Sequence, residues 1–126
     1  MSIIPVSEGL RIFERCIEKK LFGWHKYEGN SQVICKQIVK DCWNGEFFQT
    51  STGHFNQFYA RDFGWCTEAL LNLGYKEEVI QTLRYALNKY KRFRGIKVAI
   101  NKFGIPFDFP NYYSIDSLAY IIRSVR

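Results

Sequence analysis

Apolar residues recur at intervals of three and four along most of this chain, and short glycine-containing turns separate the segments. Leu10, Phe13, Ile17 and Leu21 mark the first segment, with charged residues on its other faces. This spacing is typical of amphipathic helices, each of which must bury one face against a neighbour. The pattern therefore predicts an all-α chain whose successive helices pair as antiparallel hairpins.

The segment boundaries follow from capping residues, glycines and prolines. We expect helices at Ser7–Leu21, 31–43, Phe63–Leu73, 75–92 and 111–126. Residues 46–62 show neither helical nor alternating periodicity and predict a long loop, which in a compact domain usually has a function. Residues 96–110 combine β-prone residues with glycine and two prolines, which predicts a short β-hairpin or an extended loop.

The length of 126 residues and a hydrophobic content of 47% predict one domain with a real core. The apolar runs are much shorter than the roughly 20 residues that cross a bilayer, and the N-terminal segment lacks the features of a secretory signal. These observations predict a cytoplasmic protein without a membrane partner. The last helix has no antiparallel partner in the sequence, so we expect residues 1–126 to form a single, incomplete domain.

Metal and cofactor chemistry has little support in the sequence. Four cysteines are present, but none forms a C-x-x-C pair, and neither histidine stands at ligand spacing to a cysteine. We expect neither a metal site nor a cofactor. The cysteines are interpreted as small buried hydrophobic residues in a reducing compartment.

The formal net charge of +6 raises the question of nucleic acid binding. Much of the positive charge lies at 88–97, after a predicted helix, where cations interact favourably with the helix dipole. A nucleic-acid surface is the weaker alternative for this stretch, because Tyr90 and Phe93 alternate with its basic residues as in single-strand binding sites.

Two motifs resemble a known family. The first is "YARDFGWCTEALLNLGYKEEVIQTLRYAL", in which an Arg-Asp pair among aromatic residues opens a helix, and the second is "YYSIDSLAYII". In this order and at this spacing they are similar to the early part of the six-hairpin glycosidases, a group built on an (α/α)6 toroid that includes glucoamylases, debranching glucosidases and neutral invertases. The resemblance covers residues 58–126 and implies that the chain forms part of such a toroid.

The resemblance implies carbohydrate chemistry with an oligosaccharide or disaccharide substrate. Asp62 would hold sugar hydroxyls, Arg61 would orient the sugar, and Asp116 would be the general acid. Aromatic rings stack on the apolar faces of sugars, and carboxylates bind adjacent hydroxyls. The further candidates for substrate binding are therefore Tyr59, Phe58, Trp65 and Asp108.

Other interpretations of the same residues stay open. Asp62 and Asp116 are each placed where an aspartate could cap a helix N-terminus. Glycoside hydrolysis normally needs a second carboxyl group, and in the family this group comes from a much later helix. The chain would then act with a second copy or with a complementary chain that supplies the missing helices. A non-catalytic helical interaction module is the alternative function.

Overall fold

The computed structural model describes residues 4–23, 25–108 and 115–125. Over these residues the chain forms five α-helices and one small three-stranded antiparallel sheet. The helices are α1 (Ile4–Phe22), α2 (Ser31–Cys42), α3 (Ala60–Asn72), α4 (Lys76–Phe93) and α5 (Ile115–Val125). The strands are β1 (Phe58–Tyr59), β2 (Ala99–Ile100) and β3 (Pro106–Phe107). The predicted all-α class is confirmed in its coarse form, a mostly helical chain, and β1 adds a third strand to the short hairpin expected near 96–110.

The sheet joins two segments that are far apart in the sequence. β2 pairs with β1 on one side and with β3 on the other, both antiparallel, with Phe58 opposite Ile100 and Ala99 opposite Phe107. The strands β2 and β3 form the hairpin that was predicted near 96–110, of which residues 109 and 110 lie outside the described part. Asn101 shapes its turn, because the side-chain oxygen accepts hydrogen bonds from two backbone N–H groups of that turn.

Several helix boundaries differ from the predicted ones. α1 begins at Ile4 rather than at Ser7, with Pro5 in its first turn, where a missing N–H has no cost. α3 begins at Ala60, because the chain passes directly from β1 into the helix. Asp62 is therefore the third residue of α3 and not its N-cap, a position that Tyr59 occupies without a side-chain hydrogen bond.

The last helix is described from Ile115 onwards, so residues 111–114 of its predicted range lie outside the described part. Asp116 lies in the first turn of α5, as its second residue, rather than at the cap. Neither aspartate is thus an N-cap. Both still lie where the positive end of the helix dipole favours a carboxylate.

The core lies between α3, α4, the sheet and the loop before β1. Its largest fully buried apolar side chains are Phe58 and Ile100, and Leu70, Val79, Ala86 and Tyr90 contribute from α3 and α4. Phe58 contacts Phe63 and Tyr90, which places the end of α4 beside the start of α3. α4 therefore returns antiparallel to α3, as predicted for one hairpin.

The predicted pairing of the first two helices is not observed. Within the described residues α1 has no substantial contact with α2, and Leu10, Phe13 and Leu21 of its apolar face are exposed. α5 packs mainly against α3. None of the described helices combines the length and the apolar content that are needed to cross a membrane.

Candidate functional site

The N-terminal ends of α3 and α5 lie on the same side of the molecule. One loop precedes β1 and α3, and another contains β2 and β3 and leads towards α5. The pairing of β1 with β2 ties them together, and the backbone N–H of Ala60 continues the pairing by donating to the Val98 carbonyl at 2.9 Å. The sheet therefore positions the first turn of α3.

Arg61 and Asp116 meet at this end of the molecule. The Nη1 atom of Arg61 lies 3.5 Å from Oδ2 of Asp116, and both side chains are substantially exposed, at 60% and 44%. The two residues come from the two separate motifs of the sequence. The structure thus brings together two of the three residues with the most specific predicted roles.

Close packing along α3 and α5 holds this arrangement. A Cβ atom at Gly64 would lie only 2.6 Å from the Cβ of Tyr120, so the two backbones approach as closely as a glycine allows. Further along, Thr67 Oγ1 lies 3.1 Å from Ser124 Oγ, and Arg123 pairs with Glu68 at 3.7 Å. Because these contacts advance in the same direction along both helices, α3 and α5 are parallel.

Asp62 points to a different environment, a cavity of about 340 Å³ between α2, α3 and the loop before β1. Among its described lining residues Asp62 alone carries a charge, and the others include Phe48, Gln49, Thr50, Trp65, Cys66 and Leu70. Cys66 is exposed as a residue, but its thiol is partly buried at the cavity wall. This partial burial raises the pKa of the thiol, and the negative charge of Asp62 raises it further. Asp62 is thus an acidic group at the wall of a mostly apolar cavity.

Two of the predicted aromatic residues lie near these acidic groups. Trp65 is 62% exposed, lines the cavity and packs against Tyr120 with ring centroids 5.7 Å apart. Tyr59 is half-buried beside Phe55, and burial raises the pKa of its hydroxyl although the nearby Arg11 charge opposes the shift. Both rings retain exposed surface, so they are available for contact with a ligand.

The structure places Phe58 and Asp108 in surroundings that do not favour the predicted roles. Phe58 is fully buried in the core and has no face that a sugar ring could reach. Asp108 pairs with Lys97 at 2.6 Å and accepts a hydrogen bond from the Val98 backbone N–H, so its carboxylate fastens the hairpin. The aromatic content of the loop at 46–62 is likewise mostly structural, because Phe47 and Phe48 are also buried.

A buried ion pair near the site was not predicted. Glu8 and Arg11 of α1 are 7% and 4% exposed and pair at 2.9 Å. Gln57 Nε2 donates to both Glu8 oxygens at 3.0 and 3.1 Å, and the Arg11 guanidinium donates to the His54 carbonyl and to Asn56 Oδ1. The i, i+3 spacing of Glu8 and Arg11 was the available signal, but it is also typical of an exposed helix surface.

The basic stretch at 88–97 does not form the predicted alternating surface. Tyr90 is 3% exposed, and its hydroxyl donates to the Lys97 carbonyl, so its ring cannot stack on a base. Lys97 pairs with Asp108, and Lys89 lies over the Tyr85 ring. Of the cysteines, Cys42 is buried as expected, whereas Cys16, Cys35 and Cys66 are exposed.

The described part of the chain contains no group of three or more His, Cys, Asp or Glu side chains that could hold a metal ion. Comparison with protein-family models, curated proteins and solved structures finds no match to this chain. The function is therefore inferred from the side chains at the start of α3 and α5.

Proposed function

We propose that this chain is a glycoside hydrolase-like domain that contributes part of a carbohydrate-binding cleft. The observation that carries the proposal is the 3.5 Å contact between Arg61 and Asp116 at the N-terminal ends of two parallel helices. These residues are 55 positions apart in the sequence, since 116 − 61 = 55, and each belongs to one of the two motifs that resemble the six-hairpin glycosidases.

The parallel packing of α3 and α5 supports the finer part of the proposal, an (α/α)6 arrangement. In such a toroid the inner helices are parallel to one another, and each is followed by an antiparallel outer helix. α4, which returns along α3 before the chain reaches α5, has the position expected of an outer helix. We propose α3 and α5 as neighbouring inner helices whose N-terminal ends form one rim of the cleft.

Each polar residue has a chemical role in this proposal. The Asp62 carboxylate accepts hydrogen bonds from adjacent sugar hydroxyls, and the exposed guanidinium of Arg61 donates to the sugar while it orients Asp116. Trp65 and Tyr59 supply apolar ring faces for the sugar. Asp116 is the proposed general acid that protonates the glycosidic oxygen. Because Arg61 and the helix N-terminus favour its ionised form, this role requires burial of Asp116, or a second carboxylate beside it, from a complementary part of the domain.

Hydrolysis needs a second positioned carboxyl group. Asp108 and Glu68 do not fill this role, because Asp108 is engaged by Lys97 and Glu68 lies two helical turns from the rim beside Arg123. The activity proposed for this chain is therefore carbohydrate binding. Turnover would require a carboxyl group from a complementary part of the domain.

The test is a binding titration with gluco- and fructo-oligosaccharides, followed by the backbone and indole N–H signals in two-dimensional NMR spectra. We expect shifts at Arg61, Trp65 and Asp116, and at least tenfold weaker binding in Asp62→Asn, which loses its charge-assisted hydrogen bonds to the sugar. Asp116→Asn should also weaken binding, because it removes the ion pair that orients Arg61. Glu68→Gln is the matched control, since Glu68 forms the second ion pair between α3 and α5. Its affinity should be unchanged.

If no saccharide of the panel shifts these signals, or if Glu68→Gln weakens binding as much as Asp116→Asn does, the proposed cleft is wrong. The alternative function, a non-catalytic helical interaction module, is favoured by a separate observation. α1 exposes large apolar side chains, including Leu10, Phe13 and Leu21, at 60%, 62% and 71%.

A further inference from the structure

α1 has its two faces reversed relative to an ordinary surface helix. Its buried face is the charged one, where Glu8 and Arg11 contact the loop at 54–57. Its exposed face is apolar and consists of Val6, Leu10, Phe13, Ile17 and Leu21. This set, the α1 face, lies on the opposite side of the helix from Glu8 and Arg11. An exposed apolar surface of this kind marks an interaction site.

α5 also has an apolar face that no described residue covers. Ser117, Ile121 and Ser124 lie towards α3 and are buried. Four further apolar residues form the α5 face, which is 40% to 78% exposed: Ile115, Leu118, Ile122 and Val125. At about 100° per residue this face lies roughly 120° around the helix from the α3 contact. α5 therefore has the side chains to pack against a second helix.

The two faces match in the spacing of their apolar residues. The apolar residues of the α1 face lie at intervals of four, three, four and four, and those of the α5 face at three, four and three. These are the intervals at which two helices interdigitate along a common seam. The α1 face spans about four helical turns and the α5 face about three, so α5 can cover most of the α1 face.

Gly9, beside the α1 face, is consistent with a helix that approaches closely. It lies inside a 19-residue helix, and a Cβ atom at this position would meet nothing within 4 Å in this chain. An exposed glycine inside a helix costs about 1 kcal/mol relative to alanine, and no contact within the described residues requires it. In α3, by contrast, Gly64 is the position against which Tyr120 of α5 packs.

We propose that this chain forms a homodimer in which the α5 face of each copy packs on the α1 face of its partner. A reciprocal exchange covers both faces of both copies at once and closes the assembly. Each copy contributes nine large apolar side chains that are at least 40% exposed. That is sufficient for the total of about 1,200–2,000 Å² that stable interfaces bury.

The test is sedimentation equilibrium of the whole chain from micromolar to several hundred micromolar concentration. We expect a monomer–dimer equilibrium in the wild type. Phe13→Glu on the α1 face and Leu118→Glu on the α5 face should each weaken dimerisation at least tenfold. The matched controls are Phe93→Glu and Leu87→Glu, which change exposed residues of the same types on α4 and should leave dimerisation unchanged. Circular dichroism verifies that every variant is folded.

Mixing the two variants tests which faces meet. Phe13→Glu retains its α5 face and Leu118→Glu retains its α1 face, so an equimolar mixture should recover one of the two contacts and associate more strongly than either variant alone. A wild type that is monomeric throughout would overturn the proposal, as would a dimer that only one of the two substitutions weakens. A monomeric wild type would indicate that something other than a second copy covers these faces. A dimer that only one substitution weakens would indicate that the same helix of both copies meets across the two-fold axis. Sugar binding is measured independently, so either proposal can fail alone.

Discussion

α1 and α3 are both amphipathic, yet they use their faces in opposite ways. α3 buries small and apolar residues against α5 and leaves Arg61 exposed at its first turn. α1 buries an ion pair and leaves its apolar residues exposed. The difference lies in the neighbours, because α3 contacts a complementary helix whereas α1 contacts a loop with hydrogen-bonding groups.

The comparison teaches that hydrophobic periodicity determines that a helix forms but not which of its faces is covered. A loop has unsatisfied carbonyl and amide groups, and the Arg11 guanidinium and Glu8 carboxylate satisfy several of them at once. An apolar face on the same loop would leave those polar groups without partners. The polar contact of α1 therefore has a local physical reason.

The largest expected effect on stability comes from removing the arginine of an ion pair in α1, compared with the same change in α3. Arg11→Met leaves the Glu8 carboxylate buried without its cation and should lower the free energy of unfolding by about 3–5 kcal/mol. Arg61→Met removes an exposed pair and should cost at most about 1 kcal/mol. Urea denaturation followed by circular dichroism measures both.

The double variant Glu8→Gln, Arg11→Met is the control for the first substitution. It removes the unpaired charge and keeps an acceptor for Gln57, so it should be more stable than Arg11→Met alone. Equal costs for Arg11→Met and Arg61→Met would show that α1 is not docked through its charged face.

The second test replaces one glycine by alanine in α3 and one in α1. Gly64→Ala places a methyl group 2.6 Å from the Tyr120 Cβ and should destabilise the chain by about 1–3 kcal/mol, because the helices must move apart. Gly9→Ala meets nothing in the chain and should stabilise it by up to about 1 kcal/mol. Thermal unfolding at low protein concentration gives the melting temperature of each variant. If both substitutions shift the melting temperature in the same direction, the proposed difference between α1 and α3 is wrong.

The smallest expected effect concerns the cavity beside α3. In a Cys16→Ser, Cys35→Ser background, the reaction of Cys66 with a disulfide reagent should rise with pH to a midpoint above the usual thiol pKa, because burial and Asp62 both disfavour the thiolate. Asp62→Asn removes the nearby negative charge and lowers the pKa of Cys66. The rate at pH 8 should therefore increase, because a larger fraction of the thiol is ionised.

Asp41→Asn is the control for this measurement, because Asp41 raises the pKa of Cys42 and not that of Cys66. A pH profile that Asp62→Asn leaves unchanged would show that the carboxylate does not face the thiol. Such a result would also remove Asp62 from the wall of the cavity.

Local patterns predicted part of the fold well. The helices and the hairpin near 96–110 follow from periodicity, glycines and prolines, which are properties of short segments. The start of α3 was predicted three residues too late, because β1 exists only through its pairing with β2, about 40 residues later. The burial of Phe58 had the same cause, since its partners Tyr90 and Ile100 are distant in the sequence.

The candidate site was predictable to a similar degree. The motifs identified Arg61, Asp62 and Asp116, and their residue types indicated a polar site. The sequence did not indicate that Asp108 forms an ion pair with Lys97. It also did not indicate that Arg61 contacts Asp116 while Asp62 lines the cavity beside α3. Side-chain direction depends on how each helix is rotated about its axis, and packing alone sets that rotation.

The sequence by itself determined the helical segments, the turns between them and the acidic and aromatic residues available for a site, because these depend on interactions within a few residues. Only the tertiary structure decided that α3 and α5 are parallel, that Arg61 meets Asp116 and that α1 exposes its apolar face. These features depend on which surfaces meet across more than 40 residues of chain. Apolar burial is non-directional, so it cannot specify that choice without the shapes and polar groups of the partners.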